Sequence, residues 1–198
     1  SDVEVLARVN PGDKLKIIGV TGTSGKTTTT YLIHAMQKES GVRSGIIGTL
    51  GYVINSEKIP ATYTTPGPLC LNRLFKRMLE ENLDSVVMEV SSHSLKLHRV
   101  EGIKYEVGLF TNLTQDHLDF HKTFDDYFHS KQKLFQQSKY AVINVDDENG
   151  EELAGSMNIP VWSYGINKNS DFMAKNIHIT AKGVAYDLVF KNKKHPVF

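Results

Sequence analysis

The stretch KLKIIGVTGTSGKTTTTYLIHAM, residues 14–36, constrains the fold of this chain more than any other. A β-branched apolar run, residues 14–20, stops at a glycine-bracketed loop, and a lysine followed by four threonines then opens a segment with Tyr31, Leu32, Ala35 and Met36 on one side. That order predicts a buried strand, a tight loop and a helix that starts near Thr27 and ends at Gly41. Such a unit aims backbone N–H groups and a helix N-terminus at an anion. Gly22 and Gly25 keep side chains out of the way of a phosphate. Lys26 is spaced to reach the outer phosphates, and Thr27 to offer its hydroxyl to Mg²⁺. The strict spacing places a further glycine five residues before Gly25, where this chain has Val20, but the G-K-T core and its strand–loop–helix context are intact.

The rest of the chain continues the alternation. SGIIGTLGYVI (44–54) reads as a second strand. Residues 69–82 read as a helix with Leu71, Leu74, Phe75, Met78 and Leu79 on one face. DSVVMEV (84–90) and YEVGLFTNL (105–113) read as buried strands, 124–137 as a helix and KYAVINVD (139–146) as another strand. This alternation predicts an α/β fold, a mostly parallel P-loop sheet flanked by helices. In the last forty residues VWSYGI, KNIHIT and GVAYDLVF are short and alternating, and predict a small antiparallel β patch near the C-terminus. The expected organisation is a linker at 1–13 and one nucleotide-binding domain at 14–198, with 158–198 as a small β subdomain. The stop at KNKKHPVF, directly after a strand and with no closing helix, suggests a piece of a longer protein.

Bulk properties narrow the function classes. A net charge of +1 provides no electrostatic footprint for nucleic acid. No apolar run approaches the roughly 18 residues of a membrane span, and residues 1–10 do not read as a secretory signal. The single cysteine, Cys70, excludes an internal disulfide and fits a reducing compartment. Together these point to a cytoplasmic enzyme or binding domain.

In parallel α/β sheets, sites form beyond the carboxyl ends of the strands. Glu89 ends the apolar run SVVME and is placed to hold Mg²⁺ directly or through water. After the next strand, FTNLTQDHLDFH packs Asp116, His117, Asp119 and His121 into six residues, plausible metal or phosphate partners that also suit loops and caps. In the helix that follows, Phe124, Tyr127, Phe128, Leu134 and Phe135 form an apolar stripe. Lys131 falls on that stripe and Lys133 off it. Periodicity alone leaves two readings of Lys131: a snorkelling stem with its amine in water, or a desolvated amine with a depressed pKa. By the same standard Arg99 reads as an ordinary surface charge.

Taken together, GVTGTSGKTT, TTP, MEVSSHSLKLHRV, FTNLTQDHLDFH and YFHSK, in this order and spacing, resemble the central ATPase domain of the Mur ligases, the cytoplasmic enzymes that build the peptide of peptidoglycan. The likeness runs from about residue 14 to about 150. It is strongest to the branch that adds the third residue to UDP-N-acetylmuramoyl-L-alanyl-D-glutamate. The resemblance implies an ATP-dependent ligase in which a substrate carboxylate becomes an acyl phosphate and is then attacked by an amino group. It implies that Gly22, Thr23, Ser24, Gly25, Lys26, Thr27 and Thr28 hold the ATP phosphates. Thr27 and Glu89 would bind one Mg²⁺, and His117 and Lys131 would serve a second metal position. In the family that lysine carries a carbamate, which makes it an anionic oxygen ligand. Lys26, Lys131 and His117 would be the catalytic residues. Thr64, Thr65, Ser91 and Arg99 would contact the UDP-muramoyl-dipeptide.

Three departures qualify the likeness. Ser24 stands where the family commonly has Asn, Leu97 where some members have a substrate-contacting Gln, and the N- and C-terminal domains that grip the UDP end and form the amino-acid pocket lie outside the chain. Other readings stay open: a related ligase of the folylpolyglutamate or cyanophycin type, against which YTTP and MEVSSH with Arg99 argue, and a non-catalytic nucleotide-binding module.

Overall fold

The computed structural model describes residues 14–116, 119–181 and 183–198. The apolar run before the glycine loop forms β1 (Lys16–Thr21), which sits inside an 11-stranded sheet. On one side of it lie β5 (Ser85–Glu89), β2 (Ser44–Gly48), β3 (Gly51–Ile54) and β4 (Glu57–Ile59). On the other lie β6 (Tyr105–Phe110), β7 (Ser138–Asn144), β8 (Val161–Gly165), β9 (Phe172–Thr180), β10 (Gly183–Phe190) and β11 (Lys193–Val197). Pairing is parallel from β2 through β5, β1, β6, β7 and β8 to β9, and antiparallel at both ends, β2–β3–β4 and β9–β10–β11.

The helices arise where their signals are. α1 (Lys26–Glu39) begins one residue earlier than its periodicity suggests and ends at Ser40–Gly41. α2 (Pro68–Glu80) uses Pro68 at its first turn, where a missing N–H costs nothing, and buries Leu71, Leu74, Phe75 and Met78. α3 (Ser92–Lys96) follows β5 directly, with the Ser91 side chain accepting a hydrogen bond from the Ser94 N–H. Thr123 caps α4 (Phe124–Gln136) by accepting from the Asp126 N–H, and Asp125 and Asp126 complement the first-turn dipole. α5 (Glu148–Gly155), capped by Asp147, has no counterpart in the sequence reading.

Two segments differ from expectation. Residues 44–54 are not one strand but a hairpin: Gly48 pairs with Gly51 and the chain reverses at Thr49–Leu50. VWSYG is not part of the antiparallel patch but pairs parallel to β7, Ala141 opposite Val161, so the antiparallel patch is β9–β11. Its edge pairs with the half-buried β8 rather than standing apart.

The chain leaves β1 toward β2 and later crosses from β5 to β6 on the opposite side of β1, so connections diverge at the carboxyl end of β1. That is where an open α/β sheet forms its crevice. The core beneath is dense: β5 is buried along its whole length, and Tyr105, Leu134 and Phe135 are buried between α4 and the central strands. Replacing Leu134, which is fully buried, by Ala is expected to lower the unfolding free energy by about 2–5 kcal/mol. Urea unfolding at constant slope checks it.

Candidate functional site

The carboxyl end of β1 runs into a loop that one residue in particular makes possible. Gly22 has φ 149°, and a Cβ there would lie 1.9 Å from the Thr111 hydroxyl oxygen, so only glycine fits. The loop is then tied to the end of β6. The Thr23 N–H donates to the Asn112 carbonyl (2.9 Å), the Ser24 N–H to Asn112 Oδ1 (2.9 Å), and Thr111 Oγ1 donates to the Ser24 carbonyl (2.7 Å). Gly25, as the N-cap of α1, has no side chain to satisfy the first-turn N–H groups. An uncapped helix start therefore faces a cavity of about 490 Å³ lined by Gly22, Thr23, Gly25, Lys26, Thr27 and Thr28. This fits an anionic phosphate chain. The Ser24 backbone is tied to Asn112, and Ser24 is not among the residues that line the cavity.

Glu89, at the end of β5, is 1% exposed and lines the cavity. Its Oε2 accepts from Thr27 Oγ1 (2.9 Å) and Thr49 Oγ1 (3.2 Å), and its Oε1 from the Thr49 N–H (2.9 Å). A Cβ at residue 48 would sit 2.3 Å from Glu89 Oε1, so Gly48 leaves the room that this carboxylate occupies. Thr27 and Glu89 thus form a pair of hard oxygen donors suited to Mg²⁺. Among the described residues no group of three or more His, Cys, Asp or Glu side chains forms a metal-holding cluster.

Lys131 does not snorkel. It is 2% exposed, its Nζ donates to the Gly22 carbonyl (2.9 Å) and lies 4.4 Å from the centre of the Tyr127 ring. Burial, reinforced by the nearby Lys26 charge and opposed by Asp116, pulls its pKa well below the ordinary 10.5. Lys26 Nζ donates to the same Gly22 carbonyl (3.0 Å) and to that of Thr23 (2.8 Å). Its pKa is also lowered by burial, against the charges of Glu89 and Asp116. As a free amine Lys131 is a poor partner for a hard cation, and the donor set fits a metal there only if the nitrogen carries an oxygen-bearing group. His117 lies outside the described residues.

The far wall is polar. The buried Thr65 donates from Oγ1 to the Glu89 carbonyl (2.8 Å) and accepts from the Ser91 N–H (3.0 Å). Thr64 Oγ1 meets Thr49 Oγ1 at 2.9 Å. The Arg99 guanidinium lies 5.2 Å from the centre of the Tyr63 ring. All of these residues line the same cavity, as do Ser92, His93 and Tyr127. The structure therefore brings Lys26, Thr27, Glu89, Lys131, Thr64, Thr65, Ser91 and Arg99 together, while Leu97 is exposed and outside it. Thr49, Tyr63 and Ser92 were not singled out from sequence. The only available signal for Thr49 was the G-T-L-G turn, hidden inside an apolar run.

The family model described as Mur ligase middle domain matches residues 20–198. The chain belongs to the Mur ligase family. It is 47% identical over 188 residues to a Clostridium botulinum protein named UDP-N-acetylmuramoyl-L-alanyl-D-glutamate–2,6-diaminopimelate ligase, covering 95% of this chain. A Bacillus cereus protein of the same name is 47% identical and covers 90% of the chain. A solved structure of a ligase so named superposes with a TM-score of 0.85 at 30% identity over 93% of this chain and 39% of its own. A MurF structure from Acinetobacter baumannii, 18% identical with a TM-score of 0.71 over 95% of this chain and 39% of its own, shares the fold. The chain spans about 39% of the length of the C. botulinum relative and 38% of the B. cereus one.

The buried Lys131 makes a pH prediction for this Mur ligase domain. Between its lowered folded-state pKa and 10.5, the unfolded state binds the extra proton, so the native lysine costs stability as pH falls through that window. In bicarbonate-free buffer, the unfolding free energy of Lys131→Met relative to the parent is expected to rise as pH is lowered from 10.5 and then level off. Denaturant titrations at several pH values check it.

Proposed function

We propose that this chain is the central, ATP-binding part of a cytoplasmic ligase that adds 2,6-diaminopimelate to UDP-N-acetylmuramoyl-L-alanyl-D-glutamate in peptidoglycan synthesis. The observation that carries the reading is one cavity in which a phosphate-type loop, the Thr27–Glu89 oxygen pair, the buried Lys131 and the Thr64–Thr65–Ser91–Arg99 wall meet. The diaminopimelate assignment rests on relatives that bear it in their names. The rest of such an enzyme would grip the UDP end and form the amino-acid pocket.

The reaction has two steps. A carboxylate oxygen of the muramoyl-dipeptide attacks the γ-phosphorus of ATP, the bond to the β,γ-bridging oxygen breaks, and ADP leaves. The amine then attacks the acyl carbon, phosphate departs with the bonding pair, and the ammonium proton passes to solvent. Protein groups act here mostly by positioning and charge neutralisation. Gly25, Lys26, Thr27 and Thr28, whose backbone opens α1, hold the phosphates, while the Thr23 and Ser24 N–H groups are engaged by Asn112 and fix the loop; Lys26 exchanges its two carbonyl partners for phosphate oxygens. Thr27 and Glu89 would hold Mg²⁺, which when bound neutralises phosphoryl charge. Lys131 and His117 would hold a metal at a second position if Lys131 were carbamylated: its neutral amine would attack CO₂, the N–C bond would form as one C=O π pair moves onto oxygen, and the nitrogen would release a proton. The apolar surroundings that depress its basicity favour the neutral amine this needs. Arg99, its guanidinium over the Tyr63 ring, presents a fork to a carboxylate or phosphate of the precursor.

A full-length enzyme containing this chain is expected to form the tripeptide precursor with stoichiometric ADP and phosphate, and Lys26→Ala to lower turnover about 10²- to 10³-fold. Intact mass in bicarbonate buffer is expected to show one added CO₂ that Lys131→Ala removes. Turnover of a folate in place of the muramoyl-dipeptide, or ATP binding without any ligation, would overturn the assignment.

A further inference from the structure

A second polar network lies behind the cavity wall and is not used by the reaction above. His121, in the turn before α4, is fully buried. Its Nε2 lies 2.9 Å from Ser92 Oγ, and Ser92 is 2% exposed and lines the cavity. Among the described residues its Nδ1 has no hydrogen-bond partner, but Asp126 Oδ2 stands 3.6 Å away. That is beyond a hydrogen bond, yet the carboxylate's charge favours the tautomer with its proton on Nδ1. Asp126 is itself held by Lys96 of α3 and by the Lys122 N–H. The imidazole is clamped by Phe120, 5.0 Å away and edge-on, and by Tyr127, also 5.0 Å between centroids.

The consequence is a matter of donor count. With its proton on Nδ1, His121 can only accept at Nε2, so the Ser92 hydroxyl must donate to it. Ser92 is left with its lone pairs, and no proton, for the cavity. The histidine is buried with one nitrogen unpaired among the described residues, a cost that a folded protein tolerates where the group has a task. On the cavity side Ser92 immediately follows Ser91 and faces the same space as Thr64, Thr65 and Arg99.

We propose that Ser92 is a further precursor-binding residue, its oxygen accepting a hydrogen bond from an N–H or O–H of the muramoyl-dipeptide, and that His121, oriented by Asp126, is the positioning residue that keeps Ser92 an acceptor. The proposal rests on the ligase reading above. It adds a specificity element: an amide N–H or sugar hydroxyl is preferred at this place, and an acceptor-only group is rejected because two lone-pair-bearing oxygens would face each other.

The test uses full-length enzyme with separate KM measurements for the muramoyl-dipeptide and for ATP. Ser92→Ala is expected to raise the precursor KM about 2- to 10-fold, the worth of one neutral hydrogen bond, with the ATP KM unchanged. His121→Phe, which fills the space without a polar atom, should reproduce that rise. His121→Gln, whose amide can still take the Ser92 proton, should restore most of the parent value. In the Ser92→Ala background, His121→Phe should add less than about a further factor of two, because coupled residues do not contribute independently. An unchanged precursor KM in Ser92→Ala, an equal rise in the ATP KM, or fully multiplicative effects in the double variant would overturn the proposal. If His121→Phe does not fold, Ser92→Ala and His121→Gln decide alone: a raised KM in the first with near-parent KM in the second supports it, and any other pair of values sinks it. Failure of the parent enzyme to ligate the precursor would refute the function itself rather than this role for Ser92.

Discussion

Two lysines converge on one carbonyl oxygen, that of Gly22, and the site is organised around that meeting point. Lys26 comes from the helix that follows the loop and Lys131 from α4 across the sheet. Each needs an acceptor, because a buried donor without one is costly, and the carbonyl's two lone pairs serve both. The convergence depends on the backbone at Gly22, where any side chain would strike Thr111. It fixes where α4 sits relative to β1, and so where Tyr127 lies and what surrounds Lys131. Burial lowers the basicity of both lysines, and at Lys131 the neighbouring Lys26 charge lowers it further.

The opposite side of the cavity is built by accommodation of a different kind. The β2–β3 hairpin bends where Gly48 makes room for the Glu89 carboxylate, and the residue at the bend, Thr49, satisfies that carboxylate with both its N–H and its hydroxyl. Glu89 is thereby held on a rigid strand with a partner from a turn and another from α1. The carboxylate accepts three hydrogen bonds though it is almost inaccessible, and such bonds are what make a buried carboxylate tolerable.

Much of this was legible in the sequence. The glycine spacing after β1, the apolar run ending at Glu89 and the stripe on α4 each carried a local signal that survives in the fold, and the Mur ligase likeness rested on several such signals in register. The hairpin at 48–51 was hidden because IIGTLGYVI reads as one continuous apolar run and its turn residues are short. α5 is eight residues long with two glycines, too weak a pattern to stand out. Lys131 could not be assigned from periodicity, since what covers its amine is the loop after β1, more than a hundred residues away. Ser92, Thr49 and His121 owe their places to partners distant in sequence, and a hydroxyl at a helix start or in a turn, or an imidazole before a helix, announces none of those partners.

The short line of oxygens from Glu89 through Thr49 to Thr64 carries information as well as structure. Thr49 donates its one hydroxyl proton to the carboxylate, so the proton between Thr49 and Thr64 must come from Thr64. Thr64 then has only lone pairs left to offer the cavity. The negative charge on a carboxylate buried at the end of β5 is thus expressed, two hydroxyls away, as the polarity of the wall: the protein writes the sense of its hydrogen bonds from the inside out.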